Sequence, residues 1–204
     1  MNDDQHLAAG DFATWILEIQ AAIAGERSSD VPCGSCTACC TSSQFIHIAP
    51  DEADTLAHIP SALLFPAPRL PQGHVLMGYN EHGHCPMFID NRCSIYEYRP
   101  RTCRTYDCRV FPATGIEPDE VDKAFVAQQA RRWRFTYPTE QDDALQEAVR
   151  AAAVFLQEHP YGLPEGVSTA SPTQMAVLAI EMHGLFLEGG EQSPGAAPRG
   201  SIDQ

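Results

Sequence analysis

The sequence predicts an α+β, mainly α fold: an irregular, metal-stapled cysteine-rich module with short hairpins, packed between N- and C-terminal helices. Three observations predict it. Eight cysteines fall into two sets, Cys33-Gly34-Ser35-Cys36-Thr37-Ala38-Cys39-Cys40 and, further on, Cys85, Cys93, Cys103 and Cys108. Prolines and glycines interrupt residues 26–112, so no long periodic element fits there. On either side of that stretch apolar residues recur every three to four positions, the period of amphipathic helices. The expected organisation is a mobile terminus over 1–10, a helix plus the metal-chelating module over 11–112, a helical region over 113–188 and a disordered tail over 189–204.

From Asp11, a plausible N-cap, Phe12, Trp15, Ile16, Ile19 and Ile23 mark one helical face, and Gly25 stops it. Phe45–Ile48 reads as a short strand, and Pro50 or Asp51 opens a short helix to His58. Residues 60–73, with four prolines, read as a connecting loop. His74–Tyr79 is a second short strand turning over 80–83. Cys85–Cys93 has the form of a hairpin with Asp90-Asn91 at its tip. Ser94 with Glu97 three residues on has the form of a capping box. Pro100 restarts the helix, so Cys103 and Cys108 fall on a short helix or turn. Three helices are expected beyond: Glu117–Arg134, one opened by Thr139 and Asp142 that runs to His159, and Pro172–Leu187.

A chain of 204 residues with 44% apolar content can build one domain with a real core. No apolar run is long enough to span a membrane. A net charge of −14 argues against a general nucleic-acid binder. The charge is uneven: residues 92–134 hold Arg92, Arg99, Arg101, Arg104, Arg109, Arg131, Arg132, Arg134 and Lys123 against six acids. No export signal is visible at the N-terminus, which implies a reduced, cytoplasmic protein. Partners are then an unidentified protein or small-molecule substrate.

In a reduced compartment the cysteines point to metal. Two residues between thiols let a tight turn aim both sulfurs at one centre, and Gly34 supplies a positive φ where such a turn needs one. Disulfides would strain four thiols packed in eight residues. One catalytic nucleophile does not call for seven companions, and buried structural cysteines do not cluster. All eight, Cys33, Cys36, Cys39, Cys40, Cys85, Cys93, Cys103 and Cys108, are therefore candidate ligands. Cys39 and Cys40 are adjacent and point apart, which leaves two versions open. Either Cys33, Cys36 and Cys39 share a centre with one thiol of the second set while Cys40 joins the rest, or a single centre uses a subset such as Cys36, Cys39, Cys85 and Cys103. His47 and His58 are nearby but read first as hydrogen-bonded side chains. Closed four-thiolate sites suit zinc, and C-x2-C-x2-C also occurs with iron–sulfur clusters, so spacing is neutral.

C-x2-C-x2-C-C at Cys33–Cys40, with Cys85-Pro86, Cys93-Ser94-Ile95-Tyr96-Glu97, Arg99-Pro100 and Cys103-Arg104, resembles the CxxCxxCC or YkgJ-type cysteine-cluster family of zinc- or iron-chelating proteins over about residues 31–112. The resemblance implies metal binding and tilts the metal to iron–sulfur. The family includes flagellin lysine N-methylase, which implies iron–sulfur-dependent methyl transfer. Nothing in this chain resembles a glycine-rich methyl-donor fold.

The basic island overlaps the second cysteine set. Arg104 and Arg109, each beside a ligand candidate, suit stabilisation of a thiolate centre from outside. Arg99 and Arg101 suit an anionic cofactor or substrate, or simple pairing with surplus acid. Tyr96, Tyr98 and Tyr106 read as packing groups with their hydroxyls at the rim. Three functions fit: an iron–sulfur protein acting as a redox or modification enzyme such as a methyl-transfer type; a non-enzymatic zinc module that binds a partner; or a protein of metal storage or delivery. The sequence does not settle whether it is an enzyme.

Overall fold

The computed structural model describes residues 6–29, 31–118, 123–159 and 171–187. The expected tail over 189–204 and most of the loop before the last helix lie outside the described residues. Strand β1 (Leu7–Asp11) runs straight into helix α1 (Phe12–Ile23). β1 pairs in parallel with β7 (Trp133–Thr136), Leu7 opposite Trp133 and Asp11 opposite Thr136. This corrects two expectations. Residues 7–10 are a strand rather than a mobile end. The helix expected to reach Arg134 is confined, among the described residues, to α5 (Ala124–Ala130). Trp133-Arg134-Phe135-Thr136 alternates in burial, with Trp133 buried and Arg134 exposed. A period of two pairs with a neighbouring strand, and a helix would have dispersed those side chains.

Asp11 stands at the N-cap of α1 without making a side-chain cap; its carboxylate accepts from the Thr136 hydroxyl instead. The cap comes from far along the chain. Ala13 donates its N–H to Asp142 Oδ1 at 2.7 Å. Asp142 and Thr139 also form the expected capping box of α6 (Glu140–Glu158). One buried carboxylate thus serves the starts of two helices, whose orphan N–H groups favour negative charge. α4 (Val110–Thr114) and α7 (Pro172–Met182), which has Pro172 in its first turn, pack on α6. Together these elements bury the larger core, which includes Phe12, Trp15, Ile19, Trp133, Val149 and Leu156.

A smaller core lies under a three-stranded antiparallel sheet, ordered β2 (Ile46–Ile48), β4 (Val75–Met77), β3 (Leu64–Pro66). β3 falls where a loop was expected. Pro66 ends it, at the sheet edge where a missing N–H costs nothing. α2 (Ala53–His58) flanks the sheet. The expected hairpin forms as β5 (Phe88–Ile89) and β6 (Arg92–Cys93), with Asp90 and Asn91 at φ 49° and 59° in its tip. Ser94 does not begin a capping box. Its hydroxyl donates to the Met87 carbonyl at 2.9 Å, closing the hairpin, and a 3-10 turn follows at Tyr96–Tyr98. α3 (Arg101–Thr105) starts from Pro100 and carries Cys103.

Candidate metal centre

The first cysteine stretch is a series of turns. Cys36 donates its N–H to the Cys33 carbonyl at 2.9 Å, and Cys40 donates to Thr37 at 2.9 Å. Gly34 takes φ 55°, the left-handed value such a turn favours. Cys36 and Cys108, with Ala38 between the turns, pack against the large helical core. Cys85, Cys93 and Cys103 pack against the small core. Cys40 belongs with these last three, because its carbonyl accepts the Cys85 N–H at 2.8 Å. Adjacent residues Cys39 and Cys40 therefore face different neighbourhoods.

The electrostatics divide the thiols in the same way. Although Cys33 is solvent-exposed as a residue, desolvation of its sulfur, with Cys36 next, pushes it from the ordinary 9.0 to about 11. Burial holds Cys39 well above the ordinary value, with Cys108 and Cys33 its strongest thiol neighbours. Burial brings Cys108 to about 12, opposed by a hydrogen bond from Trp133. Burial also brings Cys40 and Cys103 to about 12, each with Cys85 as the leading neighbour and Cys93 contributing. The groups are thus Cys33, Cys36, Cys39 and Cys108, and Cys40, Cys85, Cys93 and Cys103, which feel each other across the Cys39–Cys40 seam, where Cys40 acts on Cys39 and Cys36 on Cys40. All eight are free thiols. Among the described residues no three histidine, cysteine, aspartate or glutamate side chains stand in ligating geometry about one point, so these are neighbourhoods of thiols rather than closed ligand shells.

Around the first group, Trp133 donates its indole N–H to Cys108 Sγ at 3.2 Å. Asp107, buried between Tyr106 and Cys108, accepts from Trp15 Nε1 at 3.1 Å, from Ser29 Oγ at 2.9 Å and from Arg109. Arg109 is itself buried and donates to the Ala9 carbonyl at 3.0 Å, tying β1 to the thiol-bearing turn. Its charge also reaches Cys33. Arg104 faces Glu52 at 3.8 Å, and the exposed Arg101 meets Asp51 at 2.7 Å. Arg99 stacks over Tyr96 at 3.6 Å.

His47 and His58 have ring partners of their own rather than a thiol. His47 Nε2 lies 2.9 Å from His74 Nδ1, and His58 stacks on Tyr98 with ring centroids 3.6 Å apart. Tyr96 and Tyr98 are exposed. Tyr106 is not at the rim: its hydroxyl is buried and closes no hydrogen bond, although Thr173 is near enough to oppose the rise that burial causes. Trp133 and Asp107 escape a cysteine-centred reading. The alternating Trp133–Thr136 stretch and the position of Asp107 beside Cys108 are the signals that mark them.

Eight thiols and no carboxylate in either group form a donor set of the kind that zinc and iron–sulfur clusters take. Two buried polar atoms without partners, Arg99 Nε and the Tyr106 hydroxyl, belong to residues whose surroundings include these sulfurs. Fold and donor set together define a thiol-rich chelating module held against a helical layer. The chain belongs to the CxxCxxCC family, described as "Putative zinc- or iron-chelating domain", whose profile matches residues 32–133. The match takes in all eight cysteines and extends past the stretch over which the motifs alone carry the resemblance, ending at the tryptophan that bonds to Cys108. No curated protein and no solved structure matches the chain. Among the described residues no helix is long and apolar enough to cross a membrane.

Proposed function

We propose that the chain is a redox-active metalloprotein of a reducing compartment, with two four-thiolate centres that hold iron–sulfur clusters. Cys33, Cys36, Cys39 and Cys108 would hold one; Cys40, Cys85, Cys93 and Cys103 the other. The observation that carries this reading is the division of the thiols: Cys36 and Cys108 pack on the helical core with Cys33 and Cys39 as their neighbours, while Cys85, Cys93 and Cys103 pack on the small core with Cys40 bonded to Cys85. A bound cluster supplies one-electron chemistry. The protein's own share is to exclude water, to fix the sulfurs on turns and to direct the Trp133 N–H at one of them, which stabilises a thiolate and shifts a potential.

A cleft of about 340 Å³ lies between the two cores, lined in part by Ile19, His47, Glu52, Tyr106, Asp107 and Val177. It is of the size that takes a small molecule or a side chain. The substrate of a redox or methyl-transfer reaction would bind there, beside the first group. The all-sulfur character of both groups favours a second reading, a structural zinc module that binds a protein partner.

Protein purified without oxygen decides between them. Iron–sulfur loading gives a brown protein with iron, sulfide and a cluster Mössbauer spectrum. Zinc loading gives a colourless protein with two zinc ions, and a protein with neither metal sinks both readings.

A further inference from the structure

Two four-thiolate centres concentrate negative charge, and the nearby arginines differ in how far they are already spoken for. Arg101, Arg104 and Arg109 each face a carboxylate. Arg99 faces none among the described residues. Its backbone is held extended at φ −55° and ψ 141°, as a residue before proline requires. That conformation points the chain from the Tyr96–Tyr98 turn into α3, which carries Cys103. The guanidinium is pinned 3.6 Å over the Tyr96 ring, and its Nε is buried with no hydrogen-bond partner. An unpaired buried N–H is costly, and structures rarely leave one without reason. The positive charge lies within electrostatic reach of Cys33 in the first group and of Cys40 and Cys103 in the second.

A neutral thiol is a weak acceptor, but a metal-bound thiolate accepts a charge-assisted bond strongly. Resting on the two-centre reading, we propose that Arg99 is the cation shared by both centres, placed between them by Tyr96 and Pro100 and given its hydrogen-bond acceptor only when thiolates form. It acts on the metals through the sulfurs and is a positioning residue. Arg104 and Arg109, closer in sequence to cysteines, are tied to Glu52 and Asp107 and do not fill this role.

The test uses the full chain with zinc alone as the probe, titrated against a chromophoric chelator. Cys85→Ser and Cys33→Ser backgrounds isolate the first and second centres respectively. Arg99→Gln lowers zinc affinity about tenfold in each background, the lower end of what loss of an outer partner costs. Arg99→Lys, which keeps the charge, recovers most of it. Arg131→Gln removes one charge from the same basic segment where it pairs with Glu117 and leaves both affinities within twofold. Tyr96→Leu, at a position 61% exposed, frees the guanidinium without loading a core and lowers both affinities by a smaller factor, so the result stands even if Arg99→Gln folds poorly. Wild-type affinity of Arg99→Gln and Tyr96→Leu in both backgrounds, or a loss confined to one, overturns the shared role. Failure of the unsubstituted chain to bind zinc or iron at all is a different result: it defeats the two-centre reading and this inference with it.

Discussion

The helical core keeps Trp15, Ile16, Val149, Leu156 and Ile180 at 2% exposure or less. The core beneath the second thiol group has, among the described residues, only Ile46, Ile48, Ile59, Met77, Met87 and Ile95 as its buried apolar residues. At about 1.5–3 kcal/mol for each large side chain buried, the first set can hold helices together against chain entropy. The second is too small to hold strands of two and three residues, whose backbone ordering alone costs about 1–2 kcal/mol per residue. The contrast teaches that apolar burial carries the helical half of this protein; on the two-centre reading proposed above, thiol donors stand in for a larger core in the other half.

The largest expected effect breaks the two halves apart. Chelation of the metal under reducing conditions removes about 10 kcal/mol of apparent binding free energy per structural site. Amides of β2 and β4 then exchange freely while those of α6 stay protected, as read by hydrogen exchange. Uniform loss of protection across both halves would show a single cooperative unit instead. Leu156→Ala runs the contrast in reverse: a fully buried side chain is lost from the helical core at about 3 kcal/mol, with metal stoichiometry unchanged by elemental analysis.

Alkali sharpens the comparison. Cys33 at about 11 and Cys108 at about 12, both beside the helical core, lie above the ordinary 9.0. The helical half that persists without metal therefore holds these thiol protons more tightly than the unfolded chain. That contribution to stability is fully present below pH 9.0 and is lost as pH climbs through 11 and 12. The loaded protein behaves oppositely, since its thiolates must be reprotonated before metal leaves, and it fails in acid. Thermal melts of both forms between pH 5 and 11 check the crossing, at about these values.

Two smaller effects localise the forces. Trp133→Phe removes the N–H that points at Cys108, weakening the first centre by about 1 kcal/mol and leaving the second untouched. Thr139→Ala removes half of the capping box and costs about 1 kcal/mol in the helical core alone, measured by denaturant titration.

The parts of this fold governed by local rules were legible in the sequence. The period of α1, the Thr139–Asp142 box, Pro172 at the start of α7 and the Asp90-Asn91 tip all announce themselves within a few residues. The cysteines were legible as a donor set, and the adjacency of Cys39 and Cys40 was enough to pose the two-centre arrangement. What stayed hidden depends on residues distant in sequence. β1 is five residues long and has meaning only beside β7. β3 is a strand because β4 accepts it. Ser94 had the local credentials of a cap and was claimed by the hairpin. Cys108, rather than any other member of the second set, sits with the first group because α4 packs on the helical core. No spacing rule contains that fact.

The pairing of β1 with β7 has a practical side. Residues 7–10 look expendable, and a trimmed version beginning at Phe12 would appear harmless on paper. It would strip Arg109 of the Ala9 carbonyl, leave a sheet partner missing along Trp133, and loosen the ring that reaches Cys108. A clipped N-terminus would thus be felt as a defect at sulfur, about 100 positions downstream.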